Sequence, residues 1–171
     1  MFTILAIGSG QYLQPIRDIF WEYLLWVNEN VSREYGISFD IAAILDQDMR
    51  DLGKFMPPSG RLLLGMAADV PAGIGCLTRL TAQCAEIRRM YVRPEHRRIG
   101  LGRAILEGLL DEARQLGYPQ VRLDIARFMT DAHRLYRGLG FEEIQPYEGS
   151  EIPLDFQPHW VFMERSLAAG S

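Results

Sequence analysis

The sequence predicts one α/β domain in which a mixed sheet carries helices on both faces. Three observations predict it. Apolar residues recur at helical spacing in the first third of the chain, take on strand character between about residues 61 and 92, and then switch repeatedly between the two. The strand-like stretches in the middle are joined by turns too short for a crossover, which makes them an antiparallel meander, whereas later ones are separated by helices. The 171 residues are 48% hydrophobic with no low-complexity segment and no linker, so a single domain over 1–171 can bury a core of its own.

Each element follows from local pattern. FTILAI (2–7) is a short apolar run stopped by Gly8-Ser9-Gly10, a first strand and its turn. A long helix over about 14–31 has Pro15 near its start and Ile16, Ile19, Phe20, Tyr23, Leu24 and Val27 on one face. Trp21, Leu25 and Trp26 widen that face, which suits core packing, the wall of an acceptor cleft or a homodimer contact alike. A second helix over about 40–50 shows Ile41, Ile44 and Leu45 on one side and precedes the breaker MPPSG (56–60). RLLLGMAA (61–68), GIGCLTRL (73–80) and CAEIRRMYV (84–92) are the meander strands, and adjacent Arg88 and Arg89 interrupt the alternation of the third as a bulge at about 88–91 would. A helix over about 100–116 carries the stripe Leu101, Ala104, Ile105, Leu109, Ala113 and Leu116, closed by Gly117 and Pro119. There follow a strand QVRLDIA (120–126), a short helix over about 130–139 with Ala132, Leu135, Tyr136 and Leu139 on one side, a strand FEEI (141–144) and a closing strand HWVFMERSL (159–167).

Composition narrows the function classes. A net charge of −4 argues against nucleic acid as the principal partner, because such affinity comes mainly from neutralising phosphates. MFTILAIGSG lacks a basic leader and no run approaches the roughly 18 apolar residues of a membrane span, so a cytoplasmic protein with no membrane partner is expected. Cys76 and Cys84 lie in no CxxC spacing and read as buried thiols, with no metal implied. The positive charge is concentrated: six of the 17 arginines, Arg88, Arg89, Arg93, Arg97, Arg98 and Arg103, fall within sixteen residues, while Lys54 is the sole lysine.

HRRIGLGRAI (96–105) is where that charge meets a helix start. The first N–H groups of a helix lack intrahelical partners and the macrodipole adds about half a positive charge there, so Gly100 and Gly102 open a backbone site for a phosphate-type anion. A tight turn with solvated arginines is the alternative. Gly100-x-Gly102-x-x-Ile105 is a near miss of the dinucleotide fingerprint, since Ile105 stands where Gly or Ala is needed, and no GxxxxGK[ST] exists.

Arg97-x-x-Gly100-x-Gly102, preceded by EIRRMYVRPEHR and followed by AHRLYRGLGF, resembles the GNAT superfamily of N-acetyltransferases over roughly residues 61–145. The resemblance implies a mixed, mostly antiparallel sheet of about seven strands and a V-shaped cofactor cleft. It implies an acyltransferase that moves acetyl from acetyl-CoA to a primary amine by direct attack in a ternary complex, with neither metal nor covalent enzyme intermediate. It places Met90, Tyr91 and Val92 along the pantetheine arm, with backbone groups of Met90 and Val92 pairing with it, and wraps Arg97, Arg98, Ile99, Gly100, Leu101, Gly102 and Arg103 around the pyrophosphate. Met129 stands where relatives carry a CoA-contacting asparagine, a contact that Thr130 or Asp131 would have to replace.

Such a reaction needs a base for the ammonium and an acid for the leaving thiolate. Tyr136, in LYRGLGF, is similar in place to the tyrosine that protonates the CoA sulfur, and Glu86 to the strand glutamate that takes the amine proton directly or through water. A core tyrosine and a structural ion pair are the alternatives; His96 and His133 read as surface histidines. A catalytically silent CoA-binding sensor is the competing function, against which Tyr136 and Glu86 together argue. The acceptor would be set by the first helices and by PYEGSEIPLDFQPHW (146–160), where Glu143, Glu148, Glu151 and Asp155 read either as a lure for a cationic amine or as a solvated acidic loop.

Overall fold

Seven strands form one sheet in the order β1-β2-β3-β4-β5-β7-β6, with every neighbouring pair antiparallel except β4 and β5. The computed structural model describes residues 1–167; residues 168–171 of the expected domain lie outside the described residues. In chain order the elements are β1 (Phe2–Ala6), α1 (Leu13–Tyr35), α2 (Ile41–Arg50), β2 (Arg61–Ala67), β3 (Val70–Arg79), β4 (Cys84–Val92), α3 (Leu101–Gln115), β5 (Gln120–Ala126), α4 (Thr130–Gly138), β6 (Glu142–Ile144) and β7 (Trp160–Ser166). Short 3-10 turns occupy Leu52–Phe55, Pro94–His96 and Leu154–His159.

The element order matches the sequence reading, and the differences have local causes. β3 begins at Val70 rather than Gly73, because Ala68 adopts a left-handed φ of 53° and closes a tight hairpin; Pro71, which has no N–H to offer a ladder, sits opposite Met66 at a register irregularity. α1 runs past residue 31 to Tyr35, where Gly36 at φ 68° ends it with its N–H on the Ser32 carbonyl.

Alternation along β2 divides the core. Leu62, Leu64 and Met66 join Ile16, Ile19, Phe20 and Leu24 of α1 and Leu45 of α2 on one face. Leu63 faces Ile105, Leu106 and Leu109 of α3 on the other. Glycines at Gly65 and Gly75 let α3 lie close on that face: a Cβ at Gly75 would come within 2.6 Å of Ile105 and 2.9 Å of Leu109. Each fully buried leucine or isoleucine of the α3 stripe contributes about 1.5–3 kcal/mol of transfer free energy, which fixes the helix and hence the direction of its N-terminus. Cys76 and Cys84 are free and buried, as expected.

Candidate active site between β4 and β5

β4 and β5 pair over three positions only, Cys84, Ala85 and Glu86 opposite Gln120, Val121 and Arg122. Beyond them the strands part. The cause lies in β4, where the register with β3 slips between Ile74 and Cys76, so that Arg89 and Met90 together oppose Gly75, and Arg89 takes a left-handed φ of 57°. An extra residue bends the strand that holds it and sharpens its twist; the bulge expected at 88–91 is there. Past it the pairing alternates with Arg93 N–H on the Ala72 carbonyl, so Tyr91 turns its backbone to β3 while Met90 and Val92 turn theirs to the gap. The Tyr91 side chain is buried against the rings of Tyr23 and Trp26.

The mouth of the gap meets the start of α3. Arg98 at φ 64° and Gly100 at φ 87° alternate with Ile99 to curl the backbone, and α3 has no side-chain cap, so the N–H groups of Leu101, Gly102 and Arg103 are left for a ligand. A Cβ at Gly100 would touch nothing within 4 Å, which marks open space above the turn. The arginines do not gather there as their spacing suggests. Arg97 donates its Nε to the Val92 carbonyl at 2.8 Å and lies over the rings of Trp26 and Tyr91, 5.3 Å from each centroid. Arg103 pairs with Glu107 along the helix, Arg93 holds Glu22 through two bonds of 2.9 and 2.7 Å, and Arg88 and Arg89 turn inward. Arg98 alone of the six makes no hydrogen bond or ion pair among the described residues. Ile99 is exposed and Leu101 is buried in the core, so both offer the anion only backbone.

Inside, a chain of charges balances itself. Arg89, 5% exposed, grips Asp48 of α2 at 2.6 and 3.2 Å and Glu151 of the β6–β7 segment at 2.6 and 3.2 Å. Lys54 also reaches Asp48, and Arg88 bonds both Glu86 and Glu151. Glu86 is 1% exposed, with one carboxylate oxygen on Arg88 and the other accepting the Tyr147 hydroxyl at 2.7 Å. Three carboxylates thus face three cations. Asp124 of β5 is the carboxyl left over: no cation pairs with it, and its one hydrogen bond among the described residues comes from the Ser150 hydroxyl at 3.1 Å. Burial, and after it the charges of Glu151 and Glu86, push the Asp124 carboxyl up to about 7 against the opposing pull of Ser150 and Arg88.

A narrow cavity of about 40 Å³ opens here, lined by Tyr23, Arg88, Met90, Asp124, Met129 and Tyr136 among others. Tyr136 is 3% exposed and packs edge-on against Phe141. Its hydroxyl has no partner among the described residues, yet no buried side-chain polar atom in them is unsatisfied, so the hydroxyl meets the cavity. Burial, more than the neighbouring Tyr23 and Asp124, raises its phenol far above the ordinary value, which keeps the proton in place.

The structure therefore brings Tyr136 and Met90 to the cavity and leaves Glu86 closed off at the base of the splay, outside the lining. Asp124 and Ser150 are the site groups that the sequence reading did not assign to the site; Tyr23 was placed only on the core face of α1, and Glu151, read as a lure for a cationic amine or a solvated acid, is instead ion-paired with Arg88 and Arg89. Asp124 shares a strand face with Arg122, and nothing local to β5 marks that face as a cavity wall. Trp26 packs against the core, with its ring beside Tyr91 and edge-on to Phe128 at 5.3 Å, while Trp21 stays 38% exposed on α1 beside α2. Met129 lines the cavity, Asp131 is exposed beside Arg134, and His133 contacts the Ala126 carbonyl at 3.2 Å.

Known proteins resemble this chain in sequence and in fold. An uncharacterized N-acetyltransferase of Schizosaccharomyces pombe is 29% identical over 88% of this chain and 89% of its own. A crystal structure of a GNAT-family acetyltransferase from Staphylococcus aureus superposes with a TM-score of 0.74 at 19% identity, covering 96% of this chain and 99% of that one. A Salmonella typhimurium protein solved with its cofactor acetyl-CoA gives 0.68 at 22% identity, covering 100% and 96%. Residues 13–141 match the model of the acetyltransferase (GNAT) family, and on that match, with the splayed β4–β5 cleft that the fold displays, the chain belongs to the acetyltransferase (GNAT) family.

Proposed function

We propose that the protein transfers acetyl from acetyl-CoA to a primary amine by direct attack within a ternary complex, with Asp124 taking the amine proton and Tyr136 giving one to the departing sulfur. The observation that carries this reading is the cavity itself, which sets a carboxyl poised near neutrality and a phenol that stays protonated on its walls, at the end of an open strand edge.

The residues present fit acetyl-CoA. The open edge of β4 at Met90 and Val92 can pair with the amides of a pantetheine arm, and the curled backbone from Arg98 to Arg103 offers a pyrophosphate its N–H groups and the positive end of α3. The thioester would supply the acyl group. On this chain's side, Asp124 in its ionised form accepts a proton from the bound ammonium, the amine nitrogen forms its bond to the acyl carbon as the carbon–sulfur bond breaks, the Tyr136 hydroxyl donates to the sulfur, and the second proton, shed by the acylated nitrogen, restores that hydroxyl. Glu86 is reassigned in this reading: with both oxygens engaged, its negative charge helps to hold the Asp124 carboxyl high instead of taking the proton itself.

Thiol release from acetyl-CoA over a panel of amino acids, polyamines, arylalkylamines and peptide N-termini tests it. For the best acceptor, kcat/KM should rise with pH through an apparent value near 7, because the base acts only when ionised, and Asp124→Asn should abolish that limb. Tyr136→Phe should lower kcat while leaving CoA affinity intact. Tight CoA binding with no turnover on any amine would overturn the transferase reading, and loss of the limb in Glu86→Gln but not in Asp124→Asn would return the base to Glu86.

A further inference from the structure

The segment between β6 and β7 reaches both walls of the cleft. Tyr147 bonds Glu86 of β4, Glu151 bonds Arg88 and Arg89 of the bulge, and between them Ser150 bonds Asp124 of β5. Ser150 has little freedom to do otherwise. Its oxygen receives the Ile152 N–H at 3.2 Å, Ile152 is itself buried, and Glu151 is clamped through Arg89 to Asp48 on α2. With that lone pair occupied, the single hydroxyl proton of Ser150 is directed at Asp124 Oδ2. No hydrogen bond among the described residues reaches Oδ1.

We propose that Ser150 is the positioning residue of the proton acceptor: it orients the Asp124 carboxylate through Oδ2 and leaves Oδ1 as the atom that takes the amine proton. The β6–β7 segment then belongs to the catalytic machinery as well as to the acceptor wall. This rests on Asp124 being the base. The charged and titratable groups facing Asp124 are Glu86, Arg88 and Arg89 on β4, Glu151 and Tyr147 on the segment, Tyr23 on α1 and Tyr136 on α4. Every one of them survives a change at Ser150, which removes only the hydroxyl's two bonds, to Asp124 and from the Ile152 N–H; Ser150→Thr, which keeps both, is the control.

The test titrates the Asp124 carboxyl carbon by NMR in the full chain labelled at aspartate, assigned with Asp124→Asn and requiring no acceptor. Loss of a hydrogen bond to the charged form should move the midpoint up by about 1 pH unit in Ser150→Ala, and Ser150→Thr, which keeps the hydroxyl, should restore it. With the best amine of the panel, the ionised fraction at pH 7 would fall from about a half to about a tenth, so Ser150→Ala should lose roughly fivefold in turnover at pH 7 and regain it above pH 9, with the acetyl-CoA KM unchanged. Coincident midpoints for the native chain and Ser150→Ala would overturn the positioning role and leave Asp124 standing as base. A shifted midpoint beside native turnover in Asp124→Asn would sink the base assignment, and the inference with it.

Discussion

Replacing Arg89 by methionine removes the cation that joins α2 to the β6–β7 segment, and the cost falls unequally on its two partners. Glu151, whose side chain is 36% exposed, can turn to water when released. Asp48 cannot: it is 2% exposed and keeps only Lys54, at 3.2 Å. Stranding a buried carboxylate by deleting its partner costs about 3–5 kcal/mol, and the remaining lysine argues for the lower end, so we expect about 3 kcal/mol. The left-handed φ at position 89 is equally unfavourable for arginine and methionine and cancels. For a chain of this size that loss corresponds to a fall in Tm of roughly 6–12 °C. Urea titration followed by far-UV circular dichroism, with the single Asp48→Leu and the double Arg89→Met/Asp48→Leu alongside, separates charge from packing: exchanging the whole pair for apolar groups should recover at least half of the loss. A single variant within 1 kcal/mol of the native chain, or a double variant no more stable than Arg89→Met, would refute the argument that this buried pair is held by mutual compensation.

Two further outcomes are expected. Gly100→Glu places bulk and negative charge over the curled turn and should lower CoA affinity by more than about 100-fold by calorimetry, with Gly100→Ala as the control for the φ of 87°, while Arg97→Ala should cost less than about tenfold because that guanidinium is already engaged by Val92, Trp26 and Tyr91. Burial opposes ionisation of Glu151, but Arg89, by charge and by hydrogen bond, and then Arg88 and Lys54 outweigh it and hold its carboxyl down at about 2. A carboxyl lowered on folding contributes stability that is present above its unfolded value near 4.5 and is lost as pH falls through about 2, so the Tm gap between the native chain and Glu151→Gln should narrow from pH 5 to pH 2. Exposure keeps that gap on the order of 1 kcal/mol or less.

What could be read from residues alone follows the range of the interactions involved. The bulge was legible because Arg88 and Arg89 stand side by side in a strand whose alternation can turn only one of them to each face. Where their charge goes was not, since Asp48 lies 41 residues away and Glu151 62 residues away, at spacings that no local rule connects. The same holds for the arginine cluster: it was counted along the chain, whereas the acids that absorb it, Glu22 on α1 and Asp48 on α2, belong to elements folded against β4 from the other end of the sequence. The turn from Arg98 to Gly102 was legible because its glycines and the helix pattern after it are adjacent in sequence. Asp124 was hidden by a different cause. On a paired strand its face would be ordinary sheet surface; it becomes cavity wall only because β4 has moved away from it, an event decided on another strand.

The parting of β4 from β5 leaves two strand edges inside the molecule, Ile87–Val92 on one side and Leu123–Ala126 on the other, and unpaired edges are the features by which sheets recruit other sheets and aggregate. Most proteins blunt such edges with charge, proline or brevity. Here neither edge lies at the rim of the sheet, where β1 and β6 take that place, and α1, α4 and the β6–β7 segment flank the opening. Neither edge is therefore presented outward as the free face of a rim strand is. A backbone that would invite aggregation at the rim of a sheet is kept in its middle, where the flanking elements leave only the cleft as a way in.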